Sequence, residues 1–316
     1  MYVPTRLPFF RSMESIIIEQ QEAGKRLDKL LADRFSDHSR TYFQYLLEKH
    51  LVLLNGEVAK KRVIAALGDE IKIAFTLTPE ISLEPEEIAL DILYEDEELL
   101  VINKPAGMVV HPGAGHPSHT FVNALLYHCS QLRVHKGVSY RPGIVHRLDK
   151  DTTGVLLAAK NEKVQEKLTA LFSSRQVEKE YVAICIGNPG ERRIETNIGR
   201  HPTQRKEMAV LEGKGKQAIT EVKTVSFDGR FSVVFLGLKT GRTHQLRVHL
   251  QYIKTPILGD PTYGNVALNK KQKVTRPLLH AKRICFAHPI TGKRIEVCAP
   301  IAEDMRQFIG SSISVD

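Results

Sequence analysis

Between positions 141 and 154 the chain reads Arg141-Pro142-Gly143-Ile144-Val145-His146-Arg147-Leu148-Asp149-Lys150-Asp151-Thr152-Thr153-Gly154, then turns apolar through Val155-Leu156-Leu157-Ala158-Ala159. A histidine, an arginine, a lysine and two aspartates crowd into positions 146–151, directly ahead of a strand-like run. A loop built only for structure seldom needs that set. Polar groups held at the mouth of a packed sheet are well placed for catalysis, because the strand fixes them while the loop leaves them accessible.

A metal centre is the competing chemistry. His111, His116 and His119 lie close together, but the stretch is rich in Pro and Gly and lacks the i, i+4 helical spacing of a zinc motif. The four cysteines, Cys129, Cys185, Cys285 and Cys298, form neither a CxxC pair nor a Cys/His cluster, and read as reduced core thiols. No metal is expected.

The elements that must position this loop are short and mixed. Strands are expected at 92–94, 99–103, 154–159, 180–186, 231–238, 283–287 and 294–299, with helices at 120–132, 161–173 and 243–253. They alternate without a repeating βαβ unit, which points to an α+β fold with a mixed, largely antiparallel sheet and flanking helices. The 316 residues, 42% of them hydrophobic, suffice for a sizeable core and suggest two domains. No apolar run reaches the eighteen or so residues of a membrane span and no signal peptide is evident, so a cytoplasmic protein is expected. Lys and Arg exceed Asp and Glu by 45 to 36, a net charge of +9 that suits a polyanionic partner such as RNA.

The N-terminal part supports that partner. Residues 1–13 show no period and read as an extension, non-native or disordered, with Met13 a second candidate start. Residues 14–76 form a compact unit, with helical spacing in Leu27, Leu30, Leu31 and Phe35. A second short helix, capped by Ser39, carries Tyr42, Phe43, Leu46 and Leu47, and a strand then enters an Asn55-Gly56 turn. Arg26, Lys29, Arg40, Lys60 and Lys61 are its candidate phosphate contacts. Residues 77–88 read as a linker, 89–305 as the catalytic domain, and 306–316 as a tail.

Two resemblances follow from these motifs. The helix starting Arg26-Leu27-Asp28, the second starting Ser39-Arg40 and the Asn55-Gly56 hairpin resemble the small RNA-binding domain first described in a ribosomal small-subunit protein. The His146-Arg147-Leu148-Asp149 segment with Thr152-Thr153-Gly154 resembles the hallmark of the RluA-type pseudouridine synthases, with Thr153 where that family usually has Ser. Asn103-Lys104-Pro105-Ala106-Gly107, Val110-His111-Pro112, Glu178-Lys179-Glu180-Tyr181 and the run 241–249 match the same family in order and spacing.

The resemblance implies a cofactor-free reaction in which uracil leaves its ribose, turns, and rejoins through carbon 5. It assigns the catalytic aspartate to Asp149, either as a nucleophile at the anomeric carbon or as a base at the neighbouring ribose carbon. Burial would favour the neutral acid, so a permanent cation must hold Asp149 charged. Arg242, ahead of a helix that Thr243 can cap, is the implied cation; Tyr181 is the implied partner of the uracil ring. Arg147 and His146 are assigned to the RNA around the flipped nucleotide, His146 also as an orienting group. Thr152, Thr153 and Leu246 support the site from behind. A monomer is expected. Large-subunit ribosomal RNA is the favoured substrate, with transfer RNA and a non-catalytic ribosome-assembly role as alternatives.

Overall fold

The computed structural model describes residues 13–35, 40–60, 62–75, 83–112, 116–129, 142–204 and 207–309. Residues 1–12, Lys61, the first half of the expected linker and most of the expected tail lie outside them. The chain divides into two compact units, one within residues 1–82 and the other beginning at Leu83.

In the first unit β1 (Glu14–Ile17) precedes α1 (Leu27–Arg34) and α2 (Arg40–Glu48), followed by β2 (Val52–Leu54), β3 (Glu57–Val58) and β4 (Glu70–Ile73). The helical spacing works as the sequence suggests: Leu27, Leu30 and Leu31 pack with Phe43, Leu46 and Leu47 over Val52, Ile71 and Ile73. Asn55 and Gly56 both sit at positive φ, 53° and 84°, and close the β2–β3 hairpin with a tight two-residue turn.

The second unit contains β5 (Ile92–Glu95), β6 (Leu99–Lys104), α3 (Phe121–His128), β7 (Thr153–Ala159), α4 (Glu162–Ser173), β8 (Glu178–Ile186), β9 (Glu191–Arg200), β10 (Met208–Val210), β11 (Lys216–Phe227) and β12 (Phe231–Leu238). It closes with α5 (Gln245–Tyr252), α6 (Val266–Gln272), β13 (Leu279–Ala287), β14 (Arg294–Cys298) and α7 (Glu303–Arg306). Its strands form one sheet in the order β10-β9-β11-β12-β8-β13-β7-β6-β5, with β14 paired off this order to the later part of β13, Arg283–Ala287. Every pairing is antiparallel except that of β7 with β13.

The central strands are buried on both faces, which is why they read as continuous apolar runs. Side chains alternate across a strand. Leu100 and Ile102 of β6, Leu156 and Ala158 of β7 and Tyr181 of β8 share one core with α3 and α5, while Leu99, Val101, Val155 and Leu157 face α4. Residues 83–88 depart from the linker expectation. Leu83 is buried in the first of these cores, and the Glu84 carbonyl and Glu86 amide bond to the side chain and carbonyl of Asn123 on α3.

Candidate active site

The loop that carries Asp149 is fastened at several points. The Ala159 amide donates to the Gly143 carbonyl at 2.9 Å, and the Leu157 amide donates to His146 Nε2 at 2.9 Å. His146 therefore faces inward, its ring stacked on Phe172 at 4.8 Å. Burial, with the nearby Lys179 charge, pushes its pKa down to about 3, so the ring is a neutral acceptor that holds β7. His146 Nε2 is thus engaged with a strand amide, the geometry of an orienting group. Arg147, one residue on, is exposed and lines the cleft beside Asp149.

On the far side of Asp149 the loop is tied to the end of β6. Lys104, completely buried, donates to the carbonyls of Pro105, Met108 and Lys150 at 2.7, 3.0 and 2.9 Å. Burial pushes this ammonium down to about 7. The nearby Asp151 and Asp149 charges work the other way, and the Arg276 charge adds to the fall. Thr152 is buried at the cleft wall, and Thr153 Oγ1 meets His280 Nδ1 at 2.8 Å.

The cleft itself has an apolar floor of Leu148, Leu238, Leu246 and Leu279, with Tyr181 and Asp149 opening into it. Flat apolar surface beside a carboxylate suits a heterocyclic base held against a sugar. Burial and then the Asp149 charge push the Tyr181 phenol well above its usual value. Its hydroxyl is thus a proton donor, and its ring offers a stacking face.

The cation on Asp149 is Arg247, not Arg242. Arg247 Nη1 donates to Asp149 Oδ2 at 3.1 Å, and Burial works against its charge, but the paired carboxylates of Asp260 and Asp149 outweigh it. Arg242 lines the same cleft, yet its Nε donates to the Gln217 carbonyl at 2.9 Å. The physical reason is the entry of α5. Its N-cap is His244, in the left-handed conformation at φ 54°, and no side-chain cap from Thr243 is made. His244 and Arg247 are three residues apart and so lie on one helix face. His244 Nε2 stands 3.8 Å from Asp149 Oδ2, and its Nδ1 meets Tyr263 Oη at 2.9 Å. Burial lowers the His244 pKa against the pull of Asp149, which leaves the ring neutral at pH 7.

A satisfied polar network pins α5 to the sheet. Gln245 accepts from Thr240 Oγ1 and the Arg242 amide, and donates to the Ile219 carbonyl and Thr220 Oγ1. His249, fully buried, lies 2.9 Å from both Thr220 Oγ1 and Thr196 Oγ1. Buried networks with every member paired specify one arrangement of their elements.

In the N-terminal unit the predicted phosphate contacts fall into two groups. Lys29 and Lys60 are exposed. Arg26 and Arg40 instead grip Asp28, whose side chain is completely buried while theirs are 41% and 47% exposed. Gln44 Nε2 adds a third donor at 2.7 Å. Burial opposes the Asp28 charge, but these three donors hold its carboxyl below the ordinary value of 3.8. Because the folded value is depressed, the stabilisation is complete above pH 3.8 and is lost as pH falls through the folded value. Replacing Asp28 by Ala is expected to destabilise the unit by about 1–2 kcal/mol at neutral pH, discounted for the solvent around both arginines. Urea unfolding from pH 7 down to pH 2 checks this; equal acid sensitivity of variant and wild type would refute it.

Residues 98–252 match the RNA pseudouridylate synthase family. The chain is 40% identical over 300 residues to the ribosomal large subunit pseudouridine synthase D of Vibrio vulnificus, covering 91% of each protein. It is 39% identical over 304 residues to the protein of the same name from Escherichia coli K12, covering 92% of each. The uncharacterized RNA pseudouridine synthase YlyB of Bacillus subtilis is 39% identical over 296 residues, with 93% of this chain and 96% of that protein covered. Among solved structures, human RNA pseudouridylate synthase domain containing 1 is similar with a TM-score of 0.54 at 29% identity, across 69% of this chain and 84% of that one. Fold and relatives agree on one class, an isomerase that works on RNA. The chain belongs to the RNA pseudouridine synthase family.

Proposed function

We propose that this enzyme isomerises uridine in large-subunit ribosomal RNA, with Asp149 as the reacting carboxylate. The observation that carries the reading is the Asp149 carboxylate itself, paired with a buried guanidinium and open to a cleft floored by Leu148, Leu238, Leu246 and Leu279. The ribosomal substrate is supported by the large-subunit pseudouridine synthases of Vibrio vulnificus and Escherichia coli, to which the chain is similar over nine-tenths of its length.

The reaction breaks the bond from ribose carbon 1′ to uracil N1 and forms one from carbon 1′ to carbon 5. The proton on carbon 5 leaves and N1 gains one, so atoms balance without an external reactant. Asp149 either bonds to carbon 1′ as N1 departs and is displaced by carbon 5, or takes and returns the carbon 2′ proton. Arg247 is the cation paired with it in both routes. Tyr181 supplies a ring face for the turning base, and exposed Arg147 is placed to occupy the stack that the flipped nucleotide vacates. Lys29, Lys60 and the outward edges of Arg26 and Arg40 serve as phosphate contacts, which raise affinity and steepen its salt dependence.

The test is pseudouridine mapping by carbodiimide adduct and primer extension, in cells that lack the protein and are re-supplied with wild type or Asp149→Asn. Ribosomal uridines lost in the null and restored only by wild type are expected. Sites lost from transfer RNA alone would overturn the substrate, and full restoration by Asp149→Asn would overturn the role of the carboxylate.

A further inference from the structure

Arg247 does not reach Asp149 as a free side chain. Its Nε and Nη2 donate to the two carboxylate oxygens of Asp260, at 2.6 and 2.9 Å, which leaves Nη1 to meet Asp149. Asp260 is completely buried and does not line the cleft. It is itself immobilised: Oδ1 also accepts from the amides of Thr262 and Tyr263 at 2.8 and 2.9 Å, and its carbonyl accepts from Asn269 Nδ2 at 3.0 Å. The guanidinium lies over the Tyr263 ring, 5.0 Å from its centroid.

From this arrangement we infer that Asp260 is a positioning residue of the reaction: it fixes the plane of Arg247 and shares its charge, so that Nη1 meets the Asp149 carboxylate without locking it in a tight ion pair. A bidentate fork leaves a guanidinium no rotation about its own axis, so the direction of Nη1 is set by Asp260. The second effect is electrostatic. A lone buried cation would grip Asp149 as a tight ion pair and blunt its attack on carbon or its uptake of a proton. With two carboxylates on one guanidinium, each receives part of the positive charge. The other charged or titratable groups around Asp149 are Arg242 and His244 from the entry of α5, Tyr181 from β8, Arg147 from its own loop and Lys104 from the end of β6. Asp260 is the group that acts on Asp149 through Arg247.

The inference rests on Asp149 being the reacting carboxylate, and the experiment separates the two. Asp260→Asn keeps the volume and an oxygen for the Thr262 and Tyr263 amides, and removes the charge. Single-turnover isomerisation of a short RNA is measured across pH for wild type, Asp260→Asn, Asp260→Glu and Asp149→Asn. For Asp260→Asn the expected result is a kcat lower by about 10²-fold, the scale of a misplaced reacting group, with KM little changed and the acid limb of the profile moved to lower pH. Asp260→Glu retains the charge but displaces it by one methylene, so its kcat falls while its acid limb stays at the wild-type position. If Asp260→Asn does not fold, Asp260→Glu decides: a reduced kcat at an unmoved limb supports the inference and a wild-type kcat overturns it. A folded Asp260→Asn with wild-type kcat and pH profile also overturns it, as does a lowered Tm with neither quantity changed. An active Asp149→Asn would instead remove the reading beneath it.

Discussion

Arg247→Met is expected to lower single-turnover isomerisation by on the order of 10²–10³-fold and to cost the fold about 3–5 kcal/mol, because it leaves a buried carboxylate without its partner. The orphaned group is Asp260, which is 0% exposed and receives two N–H donors from Arg247 at 2.6 and 2.9 Å. Asp149, 24% exposed at its side chain, loses its only guanidinium among the described residues but keeps access to water, so the stability cost falls on Asp260 and the activity cost on Asp149. Arg242→Ala is the informative partner. It removes a bond to the Gln217 carbonyl from a half-buried side chain, a change worth about 1 kcal/mol or less, and should leave the Arg247–Asp149 pair intact. Urea unfolding and single-turnover rates on both variants check this. An Arg242→Ala enzyme as inactive as Arg247→Met would return the role to Arg242.

The assignment of the cation shows where sequence reasoning loses its grip. The loop around Asp149 was legible because its charges abut the run Val155-Leu156-Leu157-Ala158-Ala159, which every strand residue confirms as buried. The resemblance assigned the cation to Arg242, just ahead of a helix. Arg247 sits inside that helix between Leu246 and Val248, both buried, and a charge flanked by core residues must itself be buried and paired. The same signal marks Lys104 at the end of the apolar strand β6 and Asp260 after Ile257-Leu258-Gly259. Which carboxylate pairs with which cation is a matter of tertiary contact, across 98 positions for Arg247 and Asp149, and no local spacing encodes it.

Other omissions have a local cause. β9 buries only Ile194 and Ile198 along its ten residues, a spacing of four that does not announce a strand period. α6 buries only Asn269, which spends its side chain on the Gly259 amide and the Asp260 carbonyl, so it has no apolar stripe to read. In the N-terminal unit Arg26 and Arg40 read as phosphate contacts by charge. Their grip on Asp28 became visible only when two helices brought residues 28, 40 and 44 together.

Gly154→Ala should be severely disruptive, although it adds a single methyl at the base of the catalytic loop. Gly154 lies opposite Ala281 in the parallel pairing of β7 with β13, at φ +103°, a region L side chains rarely adopt. A Cβ there would stand 2.2 Å from the Ala281 carbonyl oxygen and 2.8 Å from its carbonyl carbon and amide nitrogen, so backbone meets backbone and no rotamer relieves it. Strain and overpacking together predict a loss of about 3 kcal/mol or more. Activity should fall with it, because β7 begins four residues after Asp149 and its displacement moves the carboxylate relative to Arg247. Thr153→Ser, one position earlier, keeps the hydroxyl on His280 Nδ1 and should cost about 1 kcal/mol, the scale of a buried methyl. Thr153→Val should cost more despite its equal size, since His280 Nε2 already lacks a hydrogen-bond partner and the substitution would leave both ring nitrogens unpaired. Thermal unfolding of the three variants orders them Ser, Val, Ala from mildest to most severe. A Gly154→Ala protein with wild-type Tm would mean that β7 and β13 are not packed this closely.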